Sequence, residues 1–303
     1  MDLLRTPESA FAAITTFPYP PRYAEVTTAD TGEVVRMAWY ATGPEDAPVV
    51  LLLHGEPTWS YLYRDVMEAL ADAGLRAVAV DLVGFGRSDK PASTTDHSYR
   101  RHVEWVGALV LDVLDLRDIT LVGQDWGGLI GLRLVAERPE RFARVVAANT
   151  ALPTGDHEMP QEWWRFRNAV ERAPSLDIGR LVSAGCRQPL RPGAAAAYDA
   201  PFPDPSLQAG PRAMPTLVPT TPDDPASEAN RAAWERLRSW ERPFLVAFSD
   251  SDPITGPMGP VLQRAVPGAH GLDHPVLAGA GHFLQEDAGA ELGAAVAAFV
   301  TAG

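Results

Sequence analysis

Ile119-Thr-Leu-Val-Gly-Gln-Asp-Trp-Gly-Gly128 decides how this chain folds. The run Ile119–Gly123 is short, apolar and free of charge, the pattern of a strand covered on both faces. A helical pattern starts at Gly128 and runs to Glu137. Between them one acidic side chain stands among glycines. That is the setting of a nucleophile elbow, a sharp strand-to-helix turn that lifts one side chain above the sheet edge. The glycines permit the close backbone approach such a turn needs. Serine usually occupies its centre, and here the residue is Asp125. Aspartate also caps helices, so the assignment needs support from elsewhere in the chain.

Similar runs lie on either side. Val49–Leu53 is bounded by Pro48 and the His54-Gly55 turn, and Ala77–Asp81 ends before Gly84-Phe85-Gly86. Ala143–Ala148 follows the elbow helix, and helical stretches at Tyr61–Ala73 and Tyr99–Leu114 alternate with these strands. Strand, helix, strand repeated in this way predicts a parallel sheet with helices on both faces. Tyr23–Thr28 and Val34–Tyr40 predict an antiparallel start. The pattern then breaks, because 13 of the 28 prolines fall between Pro153 and Pro225. Proline removes backbone donors, so this segment cannot extend a sheet. Helical pieces at Gln161–Glu171 and Leu176–Ala184 make it a helical cap. After the helix Ser227–Trp240, strands resume at Phe244–Phe248 and Pro275–Leu277, and an amphipathic helix spans Glu286–Val300. The expected organisation is a core in two pieces, 1–152 and 227–303, with a cap at 153–226.

Composition narrows the function. The chain has 303 residues, 46% apolar and 21% charged, and a net charge of -13. It has no basic cluster for phosphate, which argues against a nucleic-acid partner. The lone Cys186 cannot form an internal disulfide. No basic stretch followed by a long apolar core opens the chain, and no apolar run approaches a membrane span. The expectation is a cytoplasmic protein with no membrane partner, a monomer or weak homo-oligomer.

Two further segments support the elbow. Ser249-Asp-Ser-Asp-Pro253 and Gly279-Ala-Gly-His-Phe283 each follow a strand, where open parallel sheets bind ligands. The chain order nucleophile, acid, histidine is that of the α/β-hydrolases. The predicted fold is therefore an α/β-hydrolase fold, with a mostly parallel eight-stranded sheet, helices on both faces and a helical cap. His97, His102, His157, His270 and His274 show no metal-ligand spacing and are expected on the surface. No metal and no organic cofactor is expected.

The elbow aspartate restricts the chemistry. A carboxylate is ionised at neutral pH, with an ordinary pKa near ~3.9, and needs no base to activate it. Attack on a saturated carbon gives an ester that histidine-activated water can cleave; serine would give an inert ether. The candidate electrophiles are alkyl halides, epoxides and α-haloacids. A halide leaving group needs hydrogen-bond donors but no proton, and the indole N–H of Trp126 is a donor only. An epoxide needs a proton donor, usually a pair of cap tyrosines, and the cap segment holds only Tyr198. An α-haloacid needs a cation where Trp126 stands. His54-Gly-Glu-Pro57 ends a central strand at the oxyanion-loop position, making the N–H groups of Glu56 and Trp126 the expected donors. Glu56 is also placed to help position the hydrolytic water.

The segments His54-Gly-Glu-Pro-Thr-Trp-Ser-Tyr-Leu-Tyr-Arg64, Asp81-Leu-Val-Gly-Phe-Gly-Arg-Ser-Asp-Lys-Pro91, Gln124-Asp-Trp-Gly-Gly128, Tyr198-Asp-Ala-Pro-Phe-Pro-Asp204 and Gly279-Ala-Gly-His-Phe-Leu-Gln-Glu286 resemble those of haloalkane dehalogenases. The resemblance runs nearly end to end. It is closest to the branch that binds halide with two tryptophans, one beside the nucleophile and one in the cap. It implies Asp125 as nucleophile, His282 as base, Asp252 as its acid partner and Trp126 as the first halide ligand. It implies a small apolar haloalkane as substrate, with an epoxide hydrolase of the same fold as the alternative. The sequence departs from the family in the cap, where the second tryptophan's position is Phe166. Trp163 and Trp164 lie just upstream; either one supplies the second donor, with Trp164 slightly favoured, or the second ligand is absent.

Overall fold

A computed structural model describes residues 1–302. Strands β1 (Arg22–Thr27) and β2 (Val34–Thr42) form an antiparallel hairpin, closed by a turn in which Gly32 has a φ of 71°. β3 (Val49–Leu53), β4 (Arg76–Val80), β5 (Ile119–Gln124), β6 (Phe142–Ala148) and β7 (Phe244–Val246) are mutually parallel. The seven strands lie in the order β1-β2-β4-β3-β5-β6-β7. The ladder breaks after Val246, but the Ala247 N–H still donates to the Ala147 carbonyl at 2.9 Å. The chain then continues as Phe248–Ser249 and pairs in parallel with the short eighth strand, β8 (Val276–Leu277). Every residue of β3 and β5 is buried, as expected of strands covered on both faces.

Helix α1 (Arg64–Asp72) joins β3 to β4, and α3 (Trp126–Glu137) joins β5 to β6. These connections run in opposite directions across the sheet. Right-handed crossovers therefore put the two helices on opposite faces. α9 (Met258–Ala265) follows β7, and α10 (Leu284–Thr301) packs beside α1, while α2 (Tyr99–Gly107) and α8 (Ser227–Leu237) pack against α3. The reversal of strand order falls between β3 and β5, and the carboxyl ends of those strands form the crevice where such sheets bind ligands. The predicted helix Tyr99–Leu114 is α-helical to Gly107 and finishes in a π turn, Ala108–Val113.

Between β6 and α8 the chain leaves the sheet for α4 (Gln161–Arg172), α5 (Ile178–Gly185), α6 (Ala194–Asp199) and α7 (Ala209–Leu217). The last two were not foreseen, and α7 carries Pro215 inside it. α6 is tied to the core by the Trp59 indole N–H, which donates to the Ala197 carbonyl at 2.9 Å. It is also tied by the Tyr198 hydroxyl, which donates to Glu286. Glu286 in turn pairs with Arg64, and both of these charged side chains are almost fully buried. Among the described residues, no helix is long and apolar enough to cross a membrane.

Candidate active site

Asp125 sits at the apex of the turn from β5 to α3 with φ 49° and ψ -125°, a conformation that non-glycine residues rarely adopt. The surroundings enforce it. A Cβ on Gly127 would lie 1.9 Å from the Leu53 carbonyl oxygen. The Asp125 N–H donates to the Asn149 carbonyl at 3.0 Å, and the Thr150 hydroxyl donates to the Asp125 carbonyl at 2.8 Å. The elbow is thus wedged between the ends of β3 and β6, with its side chain held over the crevice.

The Glu56 N–H donates to Asp125 Oδ1 at 2.9 Å. The Trp126 N–H, expected beside it, makes no hydrogen bond to this carboxylate among the described residues and remains free in the first turn of α3. His282 Nε2 lies 3.5 Å from Asp125 Oδ2, and His282 Nδ1 lies 3.0 Å from Asp252 Oδ2. Asp252 also accepts from the Ile254 N–H at 2.9 Å and from the Thr255 hydroxyl. The structure therefore brings Asp125, Asp252 and His282 together from three strand ends. Asp250 accepts instead from the Gly279 N–H at 2.9 Å and pairs with no atom of His282 among the described residues.

Burial pushes the His282 imidazole down, but the Asp252 charge and hydrogen bonds to Asp125 and Asp252 outweigh it and lift its pKa to about 10. Burial pushes Asp252 up, yet the His282 charge and the bonds from His282, Thr255 and Ile254 bring it down to about 2. Glu56 is driven well above the usual carboxylate range by burial, then by the nearby Asp125 charge. Its Oε1 is buried without a protein partner.

These groups line a cavity of about 400 Å³ walled by Trp126, Leu129, Trp163, Phe166, Leu181, Pro215 and Phe283. Trp163 is 6% exposed and belongs to this wall, whereas Trp164 is 38% exposed and lies outside it. The preference for Trp164 is thereby corrected. One residue along α4 is a rotation of about 100°, and the inward stripe runs through Trp163, Phe166 and Val170. Neither the Trp126 nor the Trp163 indole N–H donates to a protein acceptor among the described residues. By contrast, Trp59, Trp105 and Trp234 donate to Ala197, Thr28 and Leu152.

Several contributors escaped the sequence reading. Asn149 has a φ of 34°, and its amide donates to the Ser249 hydroxyl and to the Gly281 and His282 carbonyls at 2.8–3.1 Å. Gln124 donates to the His282 carbonyl at 3.1 Å. A polar residue closing an apolar strand was the available signal for Asn149. The expectation of surface histidines also fails for two of them. His97 and His102 are buried, with stacked rings 5.3 Å apart, away from the cavity. Burial pushes the Cys186 thiol up, and its Sγ lies 3.2 Å from the Val182 carbonyl, so it is not an activated thiol. Among the described residues no cluster of His, Cys, Asp or Glu could hold a metal ion.

A family model for the alpha/beta hydrolase fold matches residues 48–289. A haloalkane dehalogenase of Psychrobacter cryohalolentis is 50% identical over 300 residues, covering 99% of this chain and 98% of the relative. One of Mycolicibacterium paratuberculosis is 49% identical over 292 residues, covering 96% of each chain. Among solved structures, a tetrameric haloalkane dehalogenase from Paraglaciecola agarilytica superposes with a TM-score of 0.89 at 34% identity, covering 97% of each chain. At this identity over nearly the whole length of both relatives, and with the fold matched by the family model, the chain belongs to the haloalkane dehalogenases, hydrolases of the α/β-hydrolase fold.

Proposed function

We propose that this enzyme removes halide from short haloalkanes through a covalent ester on Asp125. The observation that carries the reading is the pairing of the elbow carboxylate with His282 Nε2 at 3.5 Å. Asp125 Oδ1 is engaged by the Glu56 N–H, which leaves Oδ2 as the attacking atom. It displaces halide in line, forming a carbon–oxygen bond as the carbon–halogen electron pair departs with the anion. The free indole donors of Trp126 and Trp163 receive that anion.

His282 then takes a proton from water, and the hydroxide adds to the ester carbonyl at Asp125 Cγ. The developing oxyanion at Oδ1 is met by the Glu56 N–H and by the free N–H of Trp126. Collapse breaks the bond to the alkoxide, which leaves as the alcohol by taking the proton of the newly formed carboxyl group, and the Asp125 carboxylate is restored. Timing follows from charge. Two carboxylates hold the proton on His282 in the free enzyme. Esterification neutralises Asp125 and removes one of them, so the imidazole gives its proton up to solvent and is free to act as the base before it takes the proton of water. Glu56, whose acidity burial and the nearby Asp125 charge suppress, has its carboxyl beside the nucleophile and is placed to orient the water. The epoxide alternative loses support, because the one cap tyrosine donates its hydroxyl to Glu286.

The two steps separate by mutation. Asp125→Ala should release no bromide from 1-bromobutane. His282→Phe should release about one equivalent per site and stop, with the alkyl adduct mapping to Asp125 by mass spectrometry. Continuous turnover by His282→Phe, an adduct on Asp250 or Asp252, or faster turnover of a model epoxide than of any bromoalkane would overturn the reading.

A further inference from the structure

We propose that Asp287 is a positioning residue that ties the catalytic base to the cap and so governs ester hydrolysis but not alkylation. The inference rests on His282 being the base. Asp287 lies on the first turns of α10. Its Oδ2 accepts from the Gly281 N–H at 2.8 Å and from the Arg187 N–H at 2.8 Å. Its Oδ1 accepts from the Gln188 N–H at 2.8 Å. The His282 N–H donates to the Gly185 carbonyl at 2.8 Å. Both the base and the residue before it are therefore fastened to one cap turn, Gly185–Gln188.

The fit allows little slack. A Cβ on Gly281 would lie 2.4 Å from the Gly185 carbonyl oxygen, and one on Gly185 would lie 2.6 Å from the Phe283 ring. The same cap turn lines the substrate cavity through Gly185, Cys186 and Arg187. Whatever displaces that turn displaces the imidazole. Asp125 is held instead by the ends of β3 and β6, through hydrogen bonds that involve neither Asp287 nor its partners. A carboxylate suits the role because it accepts from all three N–H groups at once, through charge-assisted bonds. Misplacing a catalytic group by about 1 Å can cost on the order of 100-fold in rate. The loss should fall on the step that uses His282.

The test compares Asp287→Ala and Asp287→Asn with the wild-type enzyme, using rapid-quench kinetics on 1-bromobutane. First-turnover bromide release should stay within about twofold of wild type. Alcohol formation should fall by about tenfold or more in Asp287→Ala and by less in Asp287→Asn, which keeps one acceptor oxygen. Mass spectrometry should find a larger fraction of enzyme alkylated at steady state. Gln188→Pro removes one donor from the cap side without touching the carboxylate, and should shift the same ratio in the same direction. That variant tests the proposal even if the Asp287 variants do not fold. Equal slowing of both steps, or a lowered Tm with an unchanged ratio of step rates, would mean that Asp287 only stabilises the fold. His282→Phe run alongside separates the two readings. If it accumulates no ester, the assignment of the base fails. If it does and the Asp287 and Gln188 variants leave the ratio unchanged, only the present proposal fails.

Discussion

At Asp125 the backbone holds a conformation that costs a non-glycine residue on the order of 1–3 kcal/mol. The packing of Gly127 under β3 sustains it, and the return is a carboxylate lifted clear of the sheet. Trp126 follows from the same turn, so on the proposed reading one donor for the leaving halide comes with the nucleophile. The second depends on which side of α4 faces inward. Trp163→Phe keeps the ring and removes the N–H, and should weaken bromide binding by roughly tenfold or more, as expected for losing a hydrogen bond to a charged group. Trp164→Phe should change it by less than about twofold. Bromide titrations followed by intrinsic fluorescence or calorimetry would decide, and the reverse order of effects would exclude Trp163 as the ligand. Adjacent tryptophans are equivalent in composition, and only the phase of the helix against its neighbours tells them apart. Asn149 and Thr255 were hidden for a similar reason. Asn149 matters through the Ser249 hydroxyl and the Gly281 and His282 carbonyls, brought to it from distant parts of the chain, and Thr255 through its hydroxyl on the nearby Asp252 carboxylate, which matters only once His282 is placed against it.

Among the elements, strands were the easier to recognise. Fully buried runs such as β3 and β5 announce themselves by continuous apolar character, whereas α6 and α7 do not. α6 is a six-residue stretch beginning with four alanines, too short to show a helical period. α7 contains Pro211 and Pro215, and proline density had suggested loop there. Pro211 sits in the first turn, where the missing N–H costs nothing. Tertiary cover by the cap and core overrides the second. The elements are fastened where α1, α6 and α10 meet at Arg64, Tyr198 and Glu286. Arg64→Met would leave the Glu286 carboxylate buried without its cation, which should destabilise the enzyme by about 3–5 kcal/mol. Tyr198→Phe removes a single hydroxyl and should cost about 1–3 kcal/mol. Urea unfolding monitored by circular dichroism checks both values, and a Tyr198→Phe loss equal to that of Arg64→Met would contradict the ranking.

For the molecule as a whole, the site links stability to pH. The folded-state pKa of His282 is raised from 6.5 to about 10, so its contribution is complete below 6.5 and is lost as pH rises through about 10. That of Asp252 is lowered from 3.8 to about 2, so its contribution is present above 3.8 and is lost as pH falls toward 2. The Tm should therefore decline on the alkaline side between about pH 7 and 10. A net charge of -13 adds self-repulsion there as well. His282→Phe removes the titrating group but keeps the background charge, so its Tm should fall less steeply over the same range. Parallel slopes in the two proteins would show that His282 is not what the alkaline limb reports.

The cap interrupts the core between β6 and β7, so Asp125 precedes it in the chain and Asp252 and His282 follow it. Protein synthesis reads that arrangement in one direction. On the proposed mechanism, a nascent chain completes its nucleophile, then spends the length of the cap without the histidine that would clear it. Should the early strands assemble on the ribosome and meet an alkyl halide, the ester they form waits until translation delivers His282. On the same mechanism, truncation anywhere upstream of that residue should yield a polypeptide able at most to be modified once, a scavenger consumed by its own substrate.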